Sequence, residues 1–183
     1  MNVRLPDLSS ADEAEILAGV RAGGLLRQEA SDRLFRGLRE PLHALCMHLT
    51  GRRADAEDAV QNVFVAVHRA LPEFRGASRL TTWVYRIALR AAFRARARRQ
   101  DGDRLDADAA GGGGEAEMAT RDEARRALDA LAGLPAGPRA VLSLFAIEGL
   151  SHREIADILG IPEGTVWSSL HAARRMLVES MAG

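Results

Sequence analysis

Apolar residues return at helical intervals along most of this chain. Leu34, Leu38, Leu42, Leu45 and Leu49 fall at i, i+4, i+8, i+11 and i+15, the signature of one buried helix face. "TGRRAD" then reads as a turn, with Asp55 a candidate N-cap for the next helix. There Val60, Val63, Phe64, Val67 and Leu71 form the stripe, and Pro72 ends it. "EFRGAS" is a loop with Ser78 a candidate cap for a third helix, in which Val84, Ile87, Ala88, Ala91 and Ala95 are expected to face inward.

The periodicity fails in "RQDGDRLDADAAGGGGEAEMATRDE", where four consecutive Gly and abundant Asp predict a flexible acidic linker. It separates an N-terminal helical domain, residues 25–100, from a second at 122–181, with the linker at 101–121. Residues 1–24 form an N-terminal extension; "ADEAEILAGVRAG" has helix-forming composition, and the sequence assigns it no role. The expected fold is all-α, with two small helical domains.

After the linker, "GLSHREIADILGIPEGTVWSSLHAARRML" reads as a helix-turn-helix. Ser151 and Glu154 have capping-box spacing, Gly160 suits a left-handed C-cap, and Pro162 opens the following helix. Val166, Leu170, Ala173 and Leu177 give the second helix its core stripe. Gly164, Ser168, His171, Ala172 and Arg175 lie opposite, and small and polar residues near such a helix start suit entry into a DNA major groove.

Composition sharpens this picture. Only 4% of the 183 residues are aromatic against 47% hydrophobic, so the cores must be aliphatic, as in helical proteins. The formal net charge of zero conceals an asymmetry: residues 1–100 carry 17 Arg and 11 acids, whereas residues 101–123 carry 2 Arg and 8 acids. Arg86, Arg90, Arg94 and Arg98 recur every fourth position, with Arg96 and Arg99 beside them, and no acid lies between Arg75 and Arg99. Solvated helix faces usually interleave Glu with Arg, so an unrelieved basic row points to a polyanion.

The single cysteine, Cys46, excludes an internal disulfide and fits a reducing cytoplasm. No signal peptide, membrane span or stable membrane insertion is expected. His43, Cys46 and His48 lack a fourth ligand at metal-site spacing, so Cys46 is expected to be a small core residue. "GGGG" lacks the Lys-Ser/Thr that completes a phosphate loop, and no catalytic constellation appears. The sequence therefore predicts no active site, cofactor or metal, and no enzyme.

A basic helical domain, a linker and a C-terminal helix-turn-helix, in that order, resemble a bacterial RNA polymerase sigma factor of the small extracytoplasmic-function type. "TGRRADAEDAVQNVFVAVHRALPEFRG" is similar to the family's core-binding helix, "LTTWVYRIA" to its promoter-melting segment, and "LPAGPRAVLSLFAIEGLSHREIADILGIPEGTV" to its upstream-element reader. The resemblance implies that Asp55, Asp58, Gln61 and Asn62 meet core RNA polymerase, with Phe64 packed beneath. It implies that Arg75, Arg79, Thr82, Trp83, Arg86, Arg90, Arg94 and Arg98 face promoter DNA, both duplex and the melted non-template strand. In the reader it points to His152, Arg153, Glu163, Gly164, Thr165, Trp167, Ser168, His171 and Arg175. An anti-sigma factor is implied as a partner on the same ground.

Departures from the family pattern are Asn62 where an acid is common, Arg90 and Arg94 where Asn and Asp are frequent, and Trp167, Ser169 and Ala172 at usually basic reader positions. Two alternatives stay open: a plain helix-turn-helix regulator whose N-terminal domain only mediates assembly, which leaves the Arg ladder unexplained, and, because the reader helix is depleted of basic residues, a sigma-like decoy that occupies polymerase or an anti-sigma factor without reading promoters.

Overall fold

A computed structural model describes residues 9–102, 126, 129–146 and 148–181, and among these there is no strand. The expected linker at 101–121 lies almost entirely outside the described residues. Besides helical residues at 129–133, the described α-helices are α1 (Ser10–Ala22), α2 (Gly24–Thr50), α3 (Arg53–Ala70), α4 (Leu80–Gly102), α5 (Ala136–Ala146), α6 (His152–Leu159) and α7 (Glu163–Met181). A short 3₁₀ turn, Leu71–Glu73, ends α3 at Pro72.

The leucine stripe of α2 is the centre of the N-terminal core: Leu34, Leu38, Leu42, Leu45 and Leu49 are all buried, with Cys46 among them. Burial pushes the Cys46 thiol pKa up to about 12, so it is a neutral, inert core group. From α3, Val60, Val63, Val67 and the following Leu71 complete the stripe, and Phe64 packs its ring 4.8 Å from that of Phe35.

Three local expectations are corrected. Asp55 is not the N-cap of α3. Arg52 takes the extended cap conformation, and Asp55 lies in the first turn, where the helix dipole favours a carboxylate. Ser78 does not cap α4: its hydroxyl donates to the Arg79 carbonyl at 3.3 Å, and the Leu80 amide is met instead by Glu13 of α1. The inward face of α4 is also turned from its expected phase. Val84 and Ala88 are buried as expected, but Tyr85, Leu89 and Ala92 complete the face, leaving Ile87, Ala91 and Ala95 half-buried. The cause is packing on more than one side, since α4 meets α2, α3 and α6.

In the second domain the helix-turn-helix forms by its local chemistry. The Glu154 amide donates to Ser151 Oγ at 3.3 Å, and the Ser151 amide donates to Glu154 Oε2 at 2.9 Å, a closed capping box. Gly160 ends α6 in the left-handed region, φ 66°, with its N–H donating to the Ala156 carbonyl at 2.8 Å. Val166, Leu170 and Ala173 bury the inner face of α7.

The two domains share one continuous core. Tyr85 Oη on α4 donates to Glu148 Oε2 at 3.0 Å, and both residues are buried. Arg86 Nε donates to the Ile158 carbonyl at 3.2 Å while its Nη2 donates to that of Asp157, so one guanidinium holds the C-terminal end of α6. Arg96 and the buried Arg139 both donate to the Ala132 carbonyl, Arg139 at 2.8 Å. Burial, aided by Arg96 and Arg99 nearby, lowers the Arg139 pKa to about 10; the residue stays cationic and lies 5.9 Å from the Phe93 ring centre.

Candidate functional site

Two grooves flank α3. The larger, about 1050 Å³, runs between α2 and α3 and is lined by Phe35, Arg39, His43, Val60, Gln61 and Phe64 among others. Its aromatic floor and mixed-charge walls suit a protein helix. The second, about 520 Å³, runs between α3 and α4, and its charged lining among the described residues is Arg69, Arg90, Arg94 and Arg98, with no acid. All four side chains are exposed, and none has an acidic partner among the described residues.

The residues expected to meet polymerase are thereby divided. Gln61 and Phe64 line the α2–α3 groove, and Asp58 is exposed on the same helix. Asn62 instead lines the arginine groove, its Nδ2 donating to the Asp58 carbonyl at 2.8 Å. Asp55 turns toward α4 and forms a 3.6 Å ion pair with Arg99, both largely covered.

The basic row is divided as well. Arg90, Arg94 and Arg98 form an open file along α4, whereas Arg86 is engaged with α6. Arg69 joins the file from α3. Sequence reading missed it because the groove is made by two helices, and periodicity registers one helix at a time. At the start of α4, Arg75 and Arg79 are exposed, Thr82 is half-buried, and Trp83 rests against Phe74 with ring centres 5.1 Å apart. This aromatic pair ties the loop at 74–80 to the helix.

In the helix-turn-helix, Arg153, Glu163, Gly164, Thr165, Ser168, His171 and Arg175 are exposed. Arg175 lies 3.8 Å from Glu179, and Arg174 lies over the Phe145 ring at 5.7 Å. Phe145, His152 and Trp167 form a continuous stack, with ring centres 5.2 Å and 4.1 Å apart, and Trp167 remains 59% exposed. The Trp is therefore braced from behind and presents its outer face to solvent. Among the described residues no His/Cys/Asp/Glu cluster could hold a metal, and no helix is long and apolar enough to cross a membrane.

Comparison with known proteins agrees with this arrangement. Residues 34–102 match the family model described as Sigma-70 region 2, and residues 124–177 the one described as Sigma-70, region 4. An ECF RNA polymerase sigma-E factor of Haemophilus influenzae is 33% identical over 139 residues, 68% of this chain and 74% of that protein. Among solved structures, CnrH in complex with the cytosolic domain of CnrY matches with a TM-score of 0.72 and 25% identity, over 93% of this chain and 97% of that one. The sigma factor RpoE from Bartonella quintana, in complex with the anti-sigma factor NepR, shares the fold at a TM-score of 0.63 and 24% identity, over 82% and 96% of the two chains. These matches, over the helical domain and the helix-turn-helix in turn, lead to one conclusion: the chain belongs to the extracytoplasmic-function sigma factors of the sigma-70 family.

Proposed function

We propose that this sigma factor docks on core RNA polymerase through the α2–α3 groove, with Gln61, Asp58 and Phe64 at the contact, and directs it to specific promoters. The arginine file Arg69, Arg90, Arg94 and Arg98 follows the phosphate backbone. The loop at 74–80, with Thr82 and Trp83 behind it, holds bases that leave the stack when the duplex opens. The exposed start of α7, from Glu163 to Ser168, reads an upstream element in the major groove. The chain does no covalent chemistry; polymerase does. The arginine groove carries this reading, because its four guanidiniums have no acidic partner among the described residues and repel one another until a polyanion lies between them. The site of action is the cytoplasm, with promoter DNA and polymerase.

An anti-sigma factor is proposed as a further partner, since RpoE of Bartonella quintana is described in complex with one. A decoy that occupies polymerase without reading promoters is the second reading. It is favoured by the reader helix, whose Arg174 and Arg175 both have intramolecular partners.

Run-off transcription with core polymerase on a library of random upstream sequences tests all of this. Transcripts appearing only when the chain is added, from an enriched sequence class, support the sigma reading. Polymerase binding without transcripts favours the decoy, and duplex binding without polymerase affinity favours a simple regulator.

A further inference from the structure

The start of α4 is capped from the far end of the chain. Glu13 Oε2 accepts from the Leu80 amide at 3.2 Å, and its Oε1 accepts from the Thr81 hydroxyl at 3.5 Å and lies 3.5 Å from Arg79 Nε. The first amides of a helix have no intrahelical acceptor, and a carboxylate there supplies both a hydrogen bond and a charge opposed to the dipole. Among the described residues Glu13 is the side chain that accepts from the Leu80 amide, while Ser78 is turned to the Arg79 carbonyl. The Glu13 side chain is only 14% exposed against 50% for Arg79, so the carboxylate acts inside the protein rather than on a ligand.

Helix α1 is held in register for this role. Its own start is closed by a Ser9–Asp12 capping box, and Ile16 and Val20 are buried against α2 and the 3₁₀ turn. Arg33 of α2 bridges Asp12 and Glu15 across the α1–α2 contact, on the helix that turns Glu13 toward Leu80. At Gly19 the two helices approach so closely that an added Cβ would lie 2.9 Å from that of Ala30 and 3.1 Å from the Leu26 carbonyl oxygen.

We propose that Glu13 is a positioning residue for promoter opening. It clamps the end of the loop at 74–80 and the first turn of α4, so that Arg75, Arg79, Thr82 and Trp83 meet the opened strand in one fixed shape. This gives α1 a part in the opening step, and it rests on the sigma reading above.

The test uses the full chain with core polymerase and a promoter enriched in the run-off library, once as duplex and once with its start region pre-opened by mismatches. Glu13→Ala should bind polymerase as the parent does and lose about tenfold in transcription from the duplex, the effect of removing a helix cap, with near-complete recovery on the pre-opened template. Glu13→Gln, which keeps an acceptor for Leu80 but not the charge, should fall between. Amide exchange at Leu80 in the free Glu13→Ala chain should quicken by about the same factor, with the helical circular dichroism unchanged. Equal loss on both templates would mean a purely structural role and overturn the proposal, as would unchanged Leu80 exchange or full activity on the duplex. If the parent chain itself gives no transcripts from either template, the sigma reading fails and this proposal with it.

Discussion

Tyr85 Oη donates a hydrogen bond to Glu148 Oε2 at 3.0 Å, joining the helix of the arginine file to the helix-turn-helix domain through two buried side chains. The second oxygen of that carboxyl, Oε1, has no hydrogen-bond partner among the described residues. Burial raises the Glu148 pKa from 4.5 to about 7, with the Tyr85 bond pulling the other way. The same burial pushes the Tyr85 hydroxyl pKa upward.

Between pH 4.5 and about 7 the folded chain therefore holds a proton that the unfolded chain releases. The Glu148 contribution is fully present below that window, falls as pH rises through it, and is gone above it; the loss is at most about 3 kcal/mol. Urea midpoints measured from pH 4.5 to 8 should decline through this window in the parent chain. Glu148→Gln, which keeps the Tyr85 bond without the titration, should flatten that decline; an unchanged slope would show that other groups set it.

Arg86 and Arg90 are one helical turn apart yet serve different ends. Arg86 spends its donors on the Asp157 and Ile158 carbonyls, whereas Arg90 is open to solvent. Arg86→Ala should remove about 1 to 2 kcal/mol from the contact between the domains. Its radius of gyration in small-angle scattering should increase, while Arg90→Ala should leave it as in the parent. Equal radii in both variants would mean that Arg86 holds nothing.

For the arginine groove, replacing Arg69, Arg90, Arg94 or Arg98 singly by Ala should reduce the salt slope of DNA binding by about 0.7 on single strands or about 0.9 on duplex per lost phosphate contact. The effect should be uniform across sequences, because phosphates carry no base identity. Arg69 is the informative member, being the one contributed by α3. A salt titration in which Arg69→Ala matches the parent would remove α3 from the DNA surface.

The helix-turn-helix should lose stability at its two local signals. Ser151→Ala removes the capping hydroxyl of α6 and should cost about 1 kcal/mol. Gly160→Ala places a Cβ at φ 66°, for about 1 to 2 kcal/mol. Both are read as shifts of the urea midpoint at fixed pH, and a shift in neither would mean that tertiary packing alone forms this motif.

What the sequence determined is what depends on neighbours along the chain. The α2 leucine stripe, the stop at Pro72, the Ser151–Glu154 box and the Gly160 cap all act within about one turn, so spacing alone reveals them. The family motifs were likewise legible, because they are contiguous stretches. Tertiary structure decided the rest. Which face of α4 is buried depended on α2, α3 and α6 packing around it at once, so a single stripe gave the wrong phase. Asp55 could pass for a cap until Arg99 and the extended Arg52 were seen beside it. Arg69 entered the basic groove, Arg86 left it, and Glu13 came to cap a helix 67 positions away. Periodicity reports how a helix faces itself; only the packed chain brings a carboxylate or guanidinium from one segment to the end of another.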